Sequence, residues 1–216
     1  MAQINLPYLA LILAAAARGT THLTGIGGAG VLPLVTALTA LGARLEEGAV
    51  AGRWTVCGTG VGGWREPGCV LELGPAPGAV PLLAGMLATL PLLCVLSADS
   101  EEGRTSLRPL RAALERVGAG FMLGGGDRLP GCLIGTGWPL PAHHGDVSGA
   151  AALALLLAGL NSPGRTGVDA HPDLDRALDL LRRFGAEIQT VNGVAWITGY
   201  PDLVGTEVTF MPGCDA

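Results

Sequence analysis

Three glycines, each following an amphipathic run and preceding a pair of short apolar segments, constrain this chain more than any other feature. The clearest copy is Asp173 to Tyr200 (DLDRALDLLRRFGAEIQTVNGVAWITGY): an amphipathic helix, a Gly185-Ala186 stop, a strand, an Asn-Gly turn and a second strand. The same order appears from Leu107 to Gly137, with the stop at Val117-Gly118-Ala119. It appears first around Leu41-Gly42-Ala43, followed by a polar turn and Trp54-Thr55-Val56-Cys57-Gly58. Glycine ends a helix well because it enters the left-handed region without steric cost, and Asn-Gly is a strong hairpin signal. Helix, stop and hairpin recurring roughly every 70 residues mean three copies of one supersecondary unit.

Each copy follows a segment that is apolar on all sides: Leu6 to Arg18, a helix from about Val80, and Ser148 to Leu160 (SGAAALALLLAGL). A helix without a polar face is buried all round. Strands are expected after these helices at Thr20–Gly25, Leu92–Leu96 and Thr166–Asp169. Val70–Leu73 and His143–Val147 read as strands before the second and third, and the first amphipathic helix runs from about Val31 to Leu41. Ser148 reads as an N-cap. The fold expected is α/β, a threefold repeat of βαβαββ units with three buried apolar helices in one domain. The units fall at about 1–66, 67–140 and 141–205, with 206–216 a tail. If the buried helices run parallel, their N-termini meet at one end, where dipoles and free N–H groups suit an anion.

Composition removes several functions. Hydrophobic residues make up 49% of the chain and charged ones 14%, the balance of a packed domain. A net charge of −5 without a basic cluster argues against a nucleic-acid partner. All 13 basic residues are arginine, which excludes Schiff-base and catalytic-ammonium mechanisms. Cys57, Cys69, Cys94, Cys132 and Cys214 are scattered and read as free thiols of a reducing compartment. The N-terminal apolar run lacks the preceding positive charge of a signal peptide. Pro81 and Pro91 interrupt Val80–Leu96, which reads as a buried helix and strand rather than a membrane span. A cytoplasmic protein without membrane association is expected. The glycine-rich Gly25–Gly28 and Gly124–Gly126 open no dinucleotide-type helix, and no cofactor is expected.

The stretches YLALILAAAARGTTHLTGI, ALTALGA, VGGWREPGCVLELG, LLAGMLATLP, LRPL, LLLAGLNSPGRTGV and LLRRFGAEI together resemble the enolpyruvyl transferase family, nearest its 5-enolpyruvylshikimate-3-phosphate synthases. The resemblance runs from about Asn5 to Asp215 and implies one of two similar domains, each of three such units, with ligands in the cleft between them. Val208 to Asp215 resembles the stretch where the family's chain crosses into its other domain. The family's first loop reads PGDKSISHR and matches Met1–Leu9, which places Ile4 at its lysine and Leu9 at its arginine. Its GNSGT loop matches Gly74-Pro75-Ala76-Pro77-Gly78, and its Ser-x-Gln matches Ser148-Gly149-Ala150. Arg108 matches an arginine that holds phosphoenolpyruvate, and Asp175 an aspartate at the head of the third amphipathic helix. By the resemblance, then, Arg108, Ser148 and Asp175 are retained as substrate-binding residues, while the lysine, asparagine and glutamine are not.

His143, His144 and Asp146 lie just before the third buried helix and are candidates for general acid–base chemistry near neutral pH. Strand alternation sends the two histidines to opposite faces, so one at most reaches a site; a plain solvent-facing pair is the other reading. His143, Asp146 and His171 match no metal-ligand spacing, and no metal is expected. Arg108 suits a carboxylate held bidentately, or a salt bridge. Asp173, Asp175 and Ser148 equally suit capping roles. Each preorganised contact to a phosphorylated transition state is worth about 3 kcal/mol. Losing several leads to the expectation of a diverged small-molecule enzyme acting on a carboxylate-bearing substrate by cyclisation, isomerisation or elimination, not carboxyvinyl transfer. A non-catalytic half-domain docking on another chain, or a homodimer across the missing-domain face, is the second expectation. A chain without a present role is a third, opposed by three intact hairpins.

Overall fold

The computed structural model describes residues 4–98 and 105–211. The acidic loop Asp99–Glu102, Met1–Gln3, Cys214 and the end of the tail lie outside the described residues. In the first unit, helix α1 (Leu6–Ala16) leads to strand β1 (Thr20–Thr24), helix α2 (Val31–Ala40) and the hairpin of β2 (Arg44–Glu47) and β3 (Arg53–Cys57). The second unit is β4 (Leu71–Glu72), α3 (Ala79–Leu87), β5 (Leu93–Ser97), α4 (Arg108–Arg116), β6 (Gly120–Gly124) and β7 (Arg128–Ile134). The third is β8 (His143–His144), α5 (Gly149–Gly159), β9 (Arg165–Asp169), α6 (Asp175–Arg183), β10 (Ile188–Val191) and β11 (Val194–Thr198). A last strand, β12 (Glu207–Thr209), follows.

The repeat is visible in the pairing. Three four-stranded sheets have the orders β12-β1-β3-β2, β4-β5-β7-β6 and β8-β9-β11-β10. In each, the outer strand runs parallel to its neighbour and the remaining pairs are antiparallel. The first sheet, however, takes its outer strand from the far end of the chain, His22–Thr24 pairing with Glu207–Thr209. The tail therefore completes the first unit instead of leaving the fold at 206. Burial of Val208 and Phe210 and the pairing of an otherwise open β1 edge explain why it stays.

Gly42, Gly118 and Gly185 have φ of +113°, +95° and +96°, one residue beyond the C-caps of α2, α4 and α6. They are the left-handed helix stops that their sequence context predicts. The buried helices lie as their composition demands: Leu9 to Ala17 and Ala152 to Leu156 have no exposed surface. Helices α3 and α5 touch at Gly85 against Ala154, where a Cβ would stand 2.5 Å from the Ala154 carbonyl oxygen. They touch again where the Thr89 hydroxyl donates to the Ala158 carbonyl at 3.2 Å. The two pairs keep the same sequence offset, so the helices run parallel. Asn161 Nδ2 donates to Thr89 O, which ties the C-terminal ends of α3 and α5, and the Trp64 indole, in the segment after β3, donates to Ala15 O near the end of α1. At the opposite end Gly78, before α3, faces Asn5, before α1.

Each hairpin ends on a glycine that lies against the C-terminal carbonyls of its own buried helix. A Cβ at Gly58, Gly135 or Gly199 would collide with Ala17 O, Leu90 O or Ser162 O. The next residue then donates its N–H to a late carbonyl of that helix: Thr59 to Ala15, Thr136 to Ala88 and Tyr200 to Leu160. The carbonyls a helix leaves unpaired at its end are satisfied in this way inside the core. Among the described residues Cys57, Cys69, Cys94 and Cys132 are free thiols. Burial, with Cys132 and Glu66 adding to it, pushes the Cys94 thiol up to about 12. Among the described residues no helix is long and apolar enough to cross a membrane.

Candidate functional site

The N-terminal ends of α1, α3 and α5 are closed differently. Asn5 caps α1 by accepting from the Tyr8 N–H at 2.9 Å. Helix α3 has only Gly78 at its N-cap, and Ser148 occupies the N-cap of α5 without accepting a capping bond. Ser148 is thus at the expected place but does not make the expected contact. Its exposed hydroxyl and the first-turn N–H groups of α5 remain open to an acceptor among the described residues, whereas those of α3 are taken, Ala79 donating to Ala76 O and Val80 to Pro77 O ahead of Pro81. Of the positions matched to the family's cations, Leu9 is wholly buried in the core and Ile4 packs against it. No charged side chain could stand at Leu9 in this packing.

The histidines separate as alternation requires. His143 pairs with Gly167 and His144 with Val168 across β8 and β9. His143 faces outward, its Nε2 2.9 Å from Asp169 Oδ1, and its ring lies 5.8 Å from that of Trp196. Trp196 can lie there because Gly167 has no side chain; a Cβ would come within 2.7 Å of the indole. Arg165 covers the same ring at 5.4 Å, a cation–π contact. His144 faces inward with 5% of its surface exposed, and its Nε2 has no partner among the described residues. Burial first, then the Arg116 and His143 charges, lower its pKa below the ordinary imidazole value.

The strand expected over His143–Val147 stops at His144, because Asp146 turns to φ +58°. The Asp146 N–H reaches Asp169 Oδ2 at 3.2 Å. The hydrogen bond from His143 and then that from Asp146 lower the Asp169 pKa. Asp169 is therefore the residue that gathers His143 and Asp146, and sequence reasoning passed over it. The one available signal was a carboxylate closing the buried strand Thr166–Val168. Arg108 and Asp175 stand exposed in the first turns of α4 and α6. Among the described residues neither they nor Ser148 bonds to the histidine pair, and Arg108 has no ion-pair partner. Among the described residues, no cluster of three or more His, Cys, Asp or Glu is placed to hold a metal ion.

The model of the EPSP synthase family, 3-phosphoshikimate 1-carboxyvinyltransferase, matches residues 5–213. A 3-phosphoshikimate 1-carboxyvinyltransferase of Granulibacter bethesdensis is 36% identical over 214 residues, covering 94% of this chain and 47% of that protein. One from Paracoccus denitrificans is 36% identical over 190 residues, covering 86% and 43%. Among solved structures, EPSP synthase from Acinetobacter baumannii superposes with a TM-score of 0.86 at 26% identity, covering 94% of this chain and 47% of that one. The enolpyruvyl transferase NikO from Streptomyces tendae shares the fold at a TM-score of 0.63 and 19% identity, with 98% and 51% covered. The chain belongs to the EPSP synthase family. It spans about half the length of the curated relatives it matches. The expectation of a cyclase-, isomerase- or lyase-type enzyme that does not transfer a carboxyvinyl group is overturned here. Relatives at this identity carry the carboxyvinyltransferase name over nearly the whole of the matched chain. The expectation leaned on the family's lysine, arginine, asparagine and glutamine positions, matched here by Ile4, Leu9, the 74–78 loop and Ala150, and on the unmatched second domain, and gave too little weight to the rest.

Proposed function

We propose that this chain serves 3-phosphoshikimate 1-carboxyvinyl transfer, forming one of the two halves between which the ligands lie. The observation that carries the reading is 36% identity to a named transferase over 94% of the chain. The uncapped N-terminus of α5 supports it, since a helix N-terminus favours the phosphate and carboxylate groups such substrates carry. Arg108, Ser148 and Asp175 are the proposed ligand contacts. His143 and Asp146 are the proposed proton-handling pair, with His144 beneath them holding the strand. On this reading residues 1–216 act as one half-domain of three units, about 1–66, 67–140 and 141–205. The chain has no lysine, and each missing preorganised cation is worth about 3 kcal/mol to the transition state. The facing half supplies those charges, since a second copy of this chain would bring no lysine either. The test mixes the purified chain with the remaining half of the Granulibacter relative and follows phosphate release from phosphoenolpyruvate and 3-phosphoshikimate. Release that needs both halves is expected; its absence at any mixing ratio, with both halves folded, would sink the reading.

A further inference from the structure

The loop between β8 and α5 is anchored from two sides. Asp169, at the end of β9, accepts from His143 Nε2 at 2.9 Å with one oxygen and from the Asp146 N–H at 3.2 Å with the other. Arg116, at the end of α4, donates to the Gly145 carbonyl at 2.9 Å. Asp146 holds φ +58°, a conformation that costs a non-glycine residue about 1 kcal/mol, so something must keep it there. Its own N–H bond to Asp169 does so. Two residues later comes Ser148, then Gly149 at φ +57°, where the helix begins.

We infer that Asp169 is a positioning residue for the ligand end of α5. By fixing Asp146 it sets where Ser148 and the first N–H groups of the helix point. The inference rests on the function proposed above. The charged and titratable groups around this clamp are His143, Asp146 and His171 beside Asp169, Arg116 and His144 beneath the loop, and Arg165 across Trp196.

The test compares the full chain with Asp169→Ala and Asp169→Asn by three measurements: calorimetric binding of 3-phosphoshikimate, hydrogen exchange at 145–148, and melting temperature. Asp169→Ala should weaken binding by about tenfold, the order seen when an outer hydrogen-bond partner of a ligand-holding residue is lost. The Asp146 amide should exchange faster while the melting temperature stays within a few degrees. Asp169→Asn keeps an acceptor for the Asp146 N–H and should recover most of the affinity. Wild-type affinity in Asp169→Ala, with the loop loosened, overturns the inference alone. A lowered melting temperature with unchanged affinity of the folded fraction makes Asp169 a structural residue and also overturns it. No binding by the wild-type chain removes the functional reading, and this inference with it.

Discussion

His144 and Asp169 belong to adjacent strands, yet their environments shift them for different reasons. The imidazole of His144 is buried against the core, where its charged form is disfavoured. The Asp169 carboxylate collects two hydrogen bonds, which favour its charged form. A histidine whose folded pKa lies below its unfolded value leaves the unfolded chain binding more protons just below about pH 6.5. Stability attributable to His144 is then full above that value and falls with pH down to the lowered folded value. Asp169 acts lower: its contribution is present above the unfolded carboxylate value and is lost only as pH falls through its depressed one. Melting temperatures measured from pH 7.5 to 5.5 should drop by a few degrees in the wild type and less in His144→Gln. Equal slopes in both would place the acid sensitivity elsewhere. At this scale the sequence was half informative. Alternation told that the two histidines part company, but not that His143 meets Asp169, 26 positions away. That meeting depends on the register of β8 on β9 and on Gly167 making room for Trp196, neither of which leaves a local mark.

The elements were legible where one residue type has only one physical use. An all-apolar helix must be buried, and a glycine between helix and strand must take positive φ; both hold at α1, α3 and α5 and at 42, 118 and 185. The hairpin-end glycines follow a different physics that residue patterns alone do not reveal. Gly199 does not have a left-handed φ; it is glycine because Ser162 O occupies the place of a Cβ. The magnitudes separate the two kinds. Gly118→Ala adds a methyl with 3.6 Å of clearance to Thr136 and incurs chiefly the left-handed conformation, about 1 kcal/mol. Gly199→Ala drives a methyl into helix-end backbone that cannot rotate away, about 3 kcal/mol by the usual scale of overpacking. Urea unfolding of the two variants should show Gly199→Ala as the more damaging by about 2 kcal/mol. Equal losses would mean the hairpin simply lifts off the helix end. Of the shortest strands, β4 and β8 were read in the right places but too long, and β12 was not read as a strand at all, since two or three residues carry no periodicity and exist through their parallel neighbours.

At the scale of the molecule, the three sheets are the same device built twice from contiguous chain and once from both ends. The second and third sheets draw every strand from their own unit; the first needs Glu207–Thr209 beside His22–Thr24. The sequence places the tail after the third unit, and by resemblance it reads as the stretch that crosses into another domain. The pairing assigns it to the first unit. Removing residues 206 onward should therefore damage the part of the chain most distant in sequence from the cut. Val208 and Phe210 are 2% and 7% exposed, and burying two such side chains contributes about 4 kcal/mol together. Their loss, with the parallel ladder, also exposes the β1 edge. Hydrogen exchange on the shortened chain should show Thr20–Thr24 and the adjoining Arg53–Cys57 losing protection, while Val194–Thr198, next to the cut, stays protected. Loosening at Val194–Thr198 with Thr20–Thr24 intact would show instead that the tail merely adorns the third unit, and that the first sheet is stable with three strands.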